Sequence, residues 1–374
     1  MIRASRCADL LIKSIKLENY RNLENMEFFP SEGINIIYGD NAQGKTNLLE
    51  CIWLFTGGRS FRGSKDSELI SFGEKFSRVS LCFETAVREQ SIVIMISGGK
   101  REAILNDVPK KYMSQIIGSF CAVIFSPDHL SLIKSGPEER RNFIDAALCQ
   151  IKPSYAILLS RYKRMLNERN ALLKDIPKHR ELEDMLDIWD DRLVNEGARI
   201  AVERQEYVSC LSKLAEGFYD GISAGRERLS LSYKTGCCKN GESDPDIIKE
   251  DMLSSLLQRR TDDIYCGFTT TGVHRDDLSV RINGKKAKSF GSQGQQRSAV
   301  LAMKLAEAAV AGEKKGEKPV ILLDDVLSEL DMKRRSYLLN RLEGMQVFIT
   351  CCDKAESSET KFRMENGKLS RTEV

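Results

Sequence analysis

Alternating apolar and polar positions predict strands along the first 120 residues. Ile12–Leu17 and Ile34–Tyr38 fit short strands, and Asn47–Phe55 fits a helix after the second of them. Gly98-Gly99 suits a hairpin turn between two later strands. Three further alternating segments are Arg78–Glu84, Gln90–Ser97 and Arg101–Asn106. The pattern predicts a mixed sheet in this part of the chain.

From Pro137 to Phe218 the apolar residues follow the three-and-four spacing of helices. Pro177 divides this stretch into two helices, and the second would reach roughly 55 Å at about 1.5 Å per residue. Three charged residues interrupt the apolar stripe, namely Arg169, Glu196 and Glu203. We interpret the stretch as a short antiparallel helical arm. Two ordinary helices of a compact lobe fit the same interrupted pattern nearly as well.

The remaining residues return to strand patterns. Asn283-Gly284 predicts a tight hairpin turn, and Cys237–Asp246 has the composition of a surface loop. The predicted strands are Leu229–Tyr233, Leu278–Ile282, Lys286–Phe290 and Val320–Leu323. The last of these is apolar throughout, which is typical of a buried parallel strand.

Composition describes a globular protein with a sizeable core. Hydrophobic residues make up 41% of the 374 residues and charged residues 30%, while the net charge of +3 gives no general indication of nucleic-acid binding. The eleven cysteines include no C-x-x-C pair, so free thiols in a reducing cytosol are expected. No apolar run approaches the ~18 residues of a membrane span, and the first ten residues lack a signal-peptide core. We expect a cytoplasmic protein with no membrane contact.

One segment matches the phosphate-binding loop G-x-x-x-x-G-K-[ST] in full. The loop consists of Gly39, Asp40, Asn41, Ala42, Gln43, Gly44, Lys45 and Thr46. Its backbone N–H groups would surround the phosphates, Lys45 would reach the β- and γ-phosphates, and Thr46 would hold Mg²⁺. Because the loop lies between a predicted strand and a predicted helix, the helix N-terminus would face the same anion. The segment predicts a nucleotide site.

A second segment, Pro319–Asp325, ends a buried apolar run with two carboxylates. Ligands bind beyond the carboxyl ends of parallel strands, so Asp324 would join the Mg²⁺ shell and Asp325 would polarise the attacking water. Two adjacent acids after a strand often form only a solvated turn. The complete phosphate loop favours the catalytic interpretation. Because aspartate is shorter than glutamate at this position, slow turnover is expected.

A third segment, Ser292–Gln296, has the form of the signature that an ABC-type ATPase presents to its partner's nucleotide. Ser292 and Gln295 form an S-x-x-Q cap for the predicted helix Arg297–Val310, and capping alone is the structural alternative. Gly294 is unfavourable in a first helical turn unless a ligand must approach the backbone. Ser328–Asp331 directly follows the paired carboxylates, as the dimer-contacting D-loop does in ABC ATPases. Together these segments predict a dimer that closes on ATP.

These motifs and several others, in this order, make the chain similar to the RecF family. That family comprises bacterial recombination mediator ATPases related to SMC heads. The matching segments are Leu17–Asn22, Gly39–Glu50, Ser60–Arg62, Phe125–Asp128, Gly136-Pro137 with Arg140-Arg141, His274–Asp277, Ser292–Arg297, Leu322–Asp331, Phe348–Thr350 and Asn366-Gly367. The resemblance covers nearly the whole chain from about residue 11.

The resemblance implies an α/β fold, with an ABC-type P-loop ATPase head, a mixed sheet, and an inserted helical lobe or short antiparallel arm. It divides the chain into an N-terminal part of the head (residues 1–125), a helical lobe (126–275) and a C-terminal part of the head (276–374). The implied activity is a weak, DNA-stimulated ATPase that uses ATP and Mg²⁺ as a dimerisation switch. The implied role is recombinational repair and replication-fork recovery, with the DNA-damage and SOS responses.

The implied partners are single- and double-stranded DNA at gaps and junctions, RecR, RecO and a second copy of the chain. The residues that the resemblance assigns to catalysis are Lys45, Asp324 and Asp325, and those assigned to the metal are Thr46 and Asp324. The further nucleotide contacts are residues 39–46, Ser292, Gly294, Gln295, Asp331 and Arg62. Arg62, Arg140 and Arg141 fit solvated charges as well, and His274–Asp277 fits an interlobe ion-pair cluster or a sensor.

Two other functions compete with this one. The first is the nucleotide-binding subunit of a membrane transporter, which lacks the helical insertion and carries a serine followed by two glycines in its signature. The second is a DNA scaffold that holds ATP without useful hydrolysis, because Asp325 is a short base. A full SMC protein needs a far longer arm than this chain has.

Overall fold

The computed structural model describes residues 8–237, 244–352 and 360–372. Most of the loop predicted at Cys237–Asp246 lies outside these residues. Within the described ranges, no helix combines the length and the apolar character needed to cross a membrane.

The regular structure of these ranges comprises seventeen strands, nine α-helices and six short 3-10 helices. The strands are β1 (Ala8–Asp9), β2 (Leu11–Glu18), β3 (Met26–Phe28), β4 (Ile34–Tyr38), β5 (Phe76–Glu84), β6 (Glu89–Ser97), β7 (Lys100–Leu105), β8 (Val108–Lys110), β9 (Ala122–Phe125), β10 (Leu229–Lys234), β11 (Asp277–Ile282), β12 (Lys285–Lys286), β13 (Glu317–Lys318), β14 (Val320–Asp324), β15 (Val347–Cys351), β16 (Thr360–Glu365) and β17 (Lys368–Thr372). The helices are α1 (Lys45–Leu54), α2 (Ser131–Lys134), α3 (Pro137–Ile151), α4 (Pro153–Asp175), α5 (Leu186–Ser223), α6 (Pro245–Cys266), α7 (Ala287–Phe290), α8 (Gln293–Lys315) and α9 (Met332–Arg341).

A six-stranded sheet positions the predicted nucleotide residues. Its order is β17-β16-β4-β15-β14-β9, and every pair is parallel except β16 with β17. All five residues of β14 are buried, as their continuous apolar run predicts. Because β4 and β14 are parallel strands of one sheet, the phosphate loop after β4 and the carboxylates at the end of β14 emerge at the same edge.

Strands β2, β3 and β5 to β8 form a separate antiparallel sheet in the order β3-β2-β5-β6-β7-β8, and β1 pairs in parallel with β13. Helix α1 and both sheets contribute to one apolar cluster, which includes Ile15, Leu49, Ile94 and Phe348. The predicted α/β head is therefore confirmed, and most of its strands belong to two six-stranded sheets that share a core.

Helices α4 and α5 run antiparallel, as the sequence predicts. Arg161 approaches Glu196 and Arg169 binds Asp190, so rising numbers on α4 meet falling numbers on α5. Helix α5 also packs against α6, α8 and β10. Helices α4, α5 and α6 therefore form a packed lobe, in which α6 is a third helix that the apolar pattern did not predict.

A three-stranded sheet, β10-β11-β12, lies against α5. Asn283 and Gly284 have φ angles of 50° and 76°, which confirms the predicted hairpin turn. The predicted strand Lys286–Phe290 is wrong beyond its first residue, because Ala287–Phe290 form the one-turn helix α7. The buried Ala287 accepts hydrogen bonds from the N–H of Gly291 and the side chain of Gln296. Those bonds turn the chain into α8 and prevent its continuation as a strand.

Candidate nucleotide site

Two glycines of the phosphate loop have backbone conformations that other residues rarely adopt. Gly39 has φ 151° and Gly44 has φ 114°. A Cβ atom on Gly39 would lie 2.2 Å from the carbonyl oxygen of Met364, and one on Gly44 would lie 2.5 Å from Leu23 Cδ2. Both the dihedral angle and the available space therefore require glycine at these positions.

The side chain of Lys45 turns back across the phosphate loop. Its Nζ donates to the carbonyl oxygens of Gly39 at 2.5 Å and Asp40 at 2.8 Å. The residue is only 8% exposed, so the ammonium group is held within the loop and not in solvent. Phosphate oxygens accept hydrogen bonds as these carbonyl oxygens do. The Lys45 ammonium group can therefore donate to a phosphate bound in the loop.

Thr46 and Asp324 meet at the sheet edge. Thr46 Oγ1 donates to Asp324 Oδ1 at 2.8 Å, and Thr350 Oγ1 donates to the same oxygen at 2.9 Å. Burial raises the pKa of Asp324 above its ordinary value, and the two hydroxyl hydrogen bonds act in the opposite direction. A hydroxyl and a carboxylate are oxygen ligands of the type that Mg²⁺ takes in phosphate sites. This donor set fits the predicted metal.

Asp325 occupies a left-handed backbone conformation with φ 51°. Its N–H donates to Thr350 Oγ1 at 2.9 Å, and its carbonyl oxygen accepts a hydrogen bond from Ser328 at 2.7 Å. Aspartate tolerates this conformation better than most residues. The chain therefore turns away from the direction of β14 at Asp325, which is partly exposed beside Asp324.

Arg62 is linked to the phosphate loop through two asparagines. Arg62 Nη1 donates to Asn47 Oδ1 at 3.0 Å, Asn47 donates to Asn22, and Asn22 donates to the carbonyl of Ala42. The Arg62 side chain is otherwise exposed, and its charge lowers the pKa of Asp324 slightly against the effect of burial. The structure thus places Arg62 at the predicted site. The connecting asparagines were not predicted individually.

A buried glutamate anchors the segment that carries Arg62. Glu50, on α1, is fully buried and accepts hydrogen bonds from Arg21 at 2.9 and 3.0 Å and from Ser60 at 2.5 Å. Ser60 also accepts from the N–H of Arg62 at 3.1 Å. This network holds the backbone at Arg62 relative to α1, and it depends on residues far apart in sequence.

The N-terminus of α8 has the predicted capping box. Ser292 Oγ accepts from the N–H of Gln295, and Gln295 Oε1 accepts from the N–H of Ser292. Gln295 Nε2 also donates to Glu227 at 2.6 Å, and this hydrogen bond is the main cause of the lowered pKa of Glu227. The amide of Gln295 is therefore engaged within the chain, whereas Ser292 is exposed.

Arg334 links the signature segment to the D-loop segment. Its guanidinium donates to Ser298 Oγ at 2.9 Å and to the carbonyl oxygen of Gly294 at 3.4 Å, and it forms an ion pair with Asp331. Asp331 also caps α9 by accepting from the N–H of Arg334. Sequence reasoning missed Arg334, and the only available signal was a cation three residues after a capping aspartate.

The predicted residues therefore form two groups. One is the phosphate loop with Arg62, Asp324 and Asp325, and the other is the signature segment with Asp331. Across the described residues, no hydrogen bond or ion pair joins Ser292 or Gly294 to the phosphate loop.

The hairpin between β16 and β17 is hydrogen-bonded to the phosphate loop. The N–H of Gly367 donates to the carbonyl of Gln43 at 3.1 Å, and the N–H of Asn366 donates to Gln43 Oε1 at 2.5 Å. The C-terminal strands thus hold the loop directly.

Arg140, Arg141 and His274 lie away from the phosphate loop, in a buried polar cluster. Arg140 makes a two-pronged ion pair with Asp277 at 2.6 and 3.0 Å, and Arg141 donates to the carbonyl of Asp276. Burial lowers the pKa of His274 to about 4. These contacts favour the ion-pair interpretation of residues 274–277.

Comparison with known proteins gives a consistent family. The family model of the RecF/RecN/SMC N-terminal domain matches residues 11–366. The "DNA replication and repair protein RecF" of Ruminiclostridium cellulolyticum is 42% identical over 92% of this chain and 93% of its own. That of Bacillus cereus (strain G9842) is 40% identical over 91% of this chain and 92% of its own.

Solved structures agree with these relatives. The recombination mediator protein RecF with ATP, from the RecFOR pathway, has a TM-score of 0.94 at 37% identity, covering 99% of this chain and 100% of its own. The Smc head domain from Pyrococcus furiosus has a TM-score of 0.55 at 16% identity over 97% of this chain and 96% of its own, and it supports the fold alone.

Proposed function

The chain belongs to the RecF family of DNA replication and repair proteins, and we propose that it is an ATP-dependent DNA-binding protein of recombinational repair and replication-fork recovery. The single observation that carries this proposal is the junction of the phosphate loop with Asp324 at one sheet edge. Because the chain belongs to this family, we no longer interpret it as the nucleotide-binding subunit of a membrane transporter.

We propose that residues 39–46 bind the triphosphate of ATP, with Lys45 leaving its two carbonyl partners for the β- and γ-phosphates. Thr46 and Asp324 would hold Mg²⁺, which supplies neutralisation of phosphate charge when bound. Asp325 would orient and polarise the attacking water, and Arg62 would contact a phosphate. The short side chain of Asp325 supports weak turnover, and we propose that DNA stimulates it.

The signature segment would bind the nucleotide of a second copy. Ser292 is exposed at the N-terminus of the 23-residue helix α8, and the Gly294 backbone carries no side chain that would block a phosphate. A helix N-terminus supplies free N–H groups and a partial positive charge. Arg334 would couple this contact to Asp331 in the D-loop segment. The resulting unit is a homodimer closed by ATP.

The proposed setting is the cytoplasm, at single-strand gaps and duplex junctions, with RecR and RecO as partners in the DNA-damage and SOS responses. We also propose the division into residues 1–125, 126–275 and 276–374, in which the helical lobe separates the two parts of the ATPase head.

Light scattering of the wild type with and without ATP tests the nucleotide switch. We expect a monomer without ATP and a dimer with ATP and Mg²⁺, because the two halves of the site then close on the same triphosphate. Lys45→Met should stay monomeric, since the phosphates lose their main cation. Lys178→Met, which changes an exposed lysine after α4, should behave as the wild type.

The variant Asp325→Asn separates ATP hydrolysis from ATP-dependent dimerisation. The variant should bind ATP and remain dimeric, because it keeps the phosphate contacts and loses only the proposed base. Single-turnover ATP hydrolysis should fall by about 10²-fold or more. Unchanged hydrolysis would refute the role of Asp325, and a wild type with no measurable hydrolysis would favour the ATP-holding DNA scaffold.

A further inference from the structure

An exposed basic groove lies on the outer face of the three-stranded sheet. Its volume is about 450 Å³, and we define this basic groove by Lys234, Ser279, Arg281, Lys286, Lys288 and Ser289. All four cations are exposed, whereas Leu231, Tyr233 and Ile282 on the inner face of the sheet are buried. The strand alternation therefore directs Lys234, Ser279, Arg281 and Lys286 to one solvent-facing surface. Lys288 and Ser289, on α7, line the same groove.

The cations of the basic groove are not balanced by neighbouring carboxylates. Asp277 lines the same groove, but both of its oxygens accept hydrogen bonds from Arg140. In the described ranges, no ion pair joins Lys234, Arg281 or Lys286 to an acidic residue. The groove therefore has a local positive charge that the net charge of the whole chain, +3, does not indicate.

Arg281 and Lys286 face each other directly across the antiparallel ladder of β11 and β12. Like charges in this arrangement are destabilising. The left-handed Asn283-Gly284 turn fixes the register that brings them together. An anion between the two side chains would convert this repulsion into attraction, so the pair suits a phosphate group.

We propose that the basic groove binds the phosphate backbone of single-stranded DNA. Cations and serine hydroxyls are the groups that contact phosphate oxygens. Phe290 follows Ser289 directly and is 70% exposed, which gives an aromatic surface on which an unpaired base can stack. An acidic protein segment could use the cations and hydroxyls, but it carries no base to stack on Phe290. The inference rests on the proposed DNA-binding function and locates part of it.

The basic groove also precedes the signature segment in the chain, because Gly291 alone separates Phe290 from Ser292. A strand bound here would therefore lie beside the helix that we assign to the partner's nucleotide. Substitutions in the groove must leave ATP-dependent dimerisation intact if the two contacts are separate.

The test uses the full chain with saturating ATP and a fluorescent oligothymidylate, and measures anisotropy over a range of salt. The variant carries Lys234→Gln and Lys286→Gln, which change two exposed lysines whose side chains make no hydrogen bond among the described residues. Losing two single-strand phosphate contacts should lower the slope of log K against log salt by about 1.4 and the affinity by about 25-fold at ~0.1 M salt. Phe290→Ala should weaken binding several-fold with no change in slope.

The matched control carries Lys163→Gln and Lys178→Gln, two exposed lysines of α4 and the turn after it. This control has the same net charge as the groove variant and should bind as the wild type does. Light scattering should show ATP-dependent dimers for both variants.

Several results would overturn the inference. Unchanged affinity of the groove variant for the single strand, an equal loss in the control, or a loss confined to duplex DNA would each do so. Binding of polyglutamate to the groove with unchanged DNA affinity would also contradict it. If the wild type binds no DNA, the proposed function fails as well. If it binds and the groove variant is indistinguishable, only the groove assignment fails.

Discussion

At the scale of single residues, one oxygen of Asp324 has several roles. It accepts hydrogen bonds from Thr46 and Thr350, yet burial still raises the pKa of the carboxyl group. The charged form is therefore less favourable in the folded chain than in the unfolded chain. The Asp324 carboxylate therefore lowers the stability of the fold at neutral pH, a cost that its proposed role as a Mg²⁺ ligand would explain.

Asp324→Asn should stabilise the protein in the absence of nucleotide at neutral pH. A carboxyl group with a raised pKa destabilises the fold once pH exceeds its unfolded pKa, and the amide removes this penalty. The variant should therefore melt at a higher temperature than the wild type at pH 7, with the difference shrinking as pH falls toward about 4. The Mg²⁺-dependent part of its ATP affinity should be lost.

The exposed Asp184 provides the control for this measurement. Asp184→Asn should leave both the melting temperature and ATP binding unchanged. A lower melting temperature of Asp324→Asn at pH 7 would show that the carboxylate stabilises the fold, against the direction of its raised pKa.

The predicted site residues differ in how well local sequence reveals them. The phosphate loop is contiguous, and its glycine, lysine and threonine types follow from the chemistry of phosphate binding. Glu50 and Arg334 act through partners that are distant in sequence or on another helix. Nothing in their spacing predicts those contacts, so their positioning roles emerge only from the fold.

At the scale of helices and strands, the charged interruptions of the α4–α5 pattern have specific partners. Arg169 is fully buried and binds Asp190 at 2.6 Å and Asp263, on α6, at 2.7 Å. Glu196 approaches Arg161, and Glu203 pairs with Lys152. The interruptions are therefore contacts within the packed lobe, and the sequence pattern did not predict the third helix, α6, which supplies Asp263.

Arg169→Met should destabilise the helical lobe strongly. The substitution keeps much of the side-chain volume but leaves Asp190 and Asp263 buried without their shared cation, which costs about 3–5 kcal/mol. Urea unfolding monitored by circular dichroism measures the change. Arg161→Ala removes an exposed cation 3.9 Å from Glu196 and should cost less than about 1 kcal/mol. Equal effects of the two variants would contradict the buried-network interpretation.

At the scale of the whole molecule, α8 joins the separate parts of the core. Ala299 and Met303 pack in the helical lobe, whereas Leu301 and Leu305 pack against the parallel sheet. The signature segment is therefore the exposed end of a helix whose body is shared by both parts. Its amphipathic pattern predicted a helix, but apolar residues on two sides could not identify which neighbours they contact.

Two histidines with lowered pKa values make the stability of the molecule sensitive to acid. Burial lowers the pKa of His274 to about 4 and that of His129 well below its ordinary value. His274 Nε2 lies 3.1 Å from the carbonyl of Thr269, and its Nδ1 lies 2.8 Å from the hydroxyl of Tyr162. A neutral ring satisfies both contacts, since it donates from Nε2 and accepts at Nδ1.

We expect the free energy of unfolding to fall as pH decreases from about 6.5 toward 4, by up to about 1.4 kcal/mol per pH unit for each buried histidine. The unfolded chain takes up these protons and the folded chain does not. Raised pKa values of Asp276, Glu307 and Asp324 act in the opposite direction, so the comparison must isolate one group.

His274→Gln retains a hydrogen-bond donor and an acceptor. It should reduce the slope of the unfolding free energy against pH by the share of one proton, as measured by urea titrations at several pH values. His179→Gln, at an exposed position, should leave the slope unchanged. Identical profiles for the wild type and His274→Gln would mean that the buried ring is protonated in the fold, with a hydrogen-bond arrangement different from the one described.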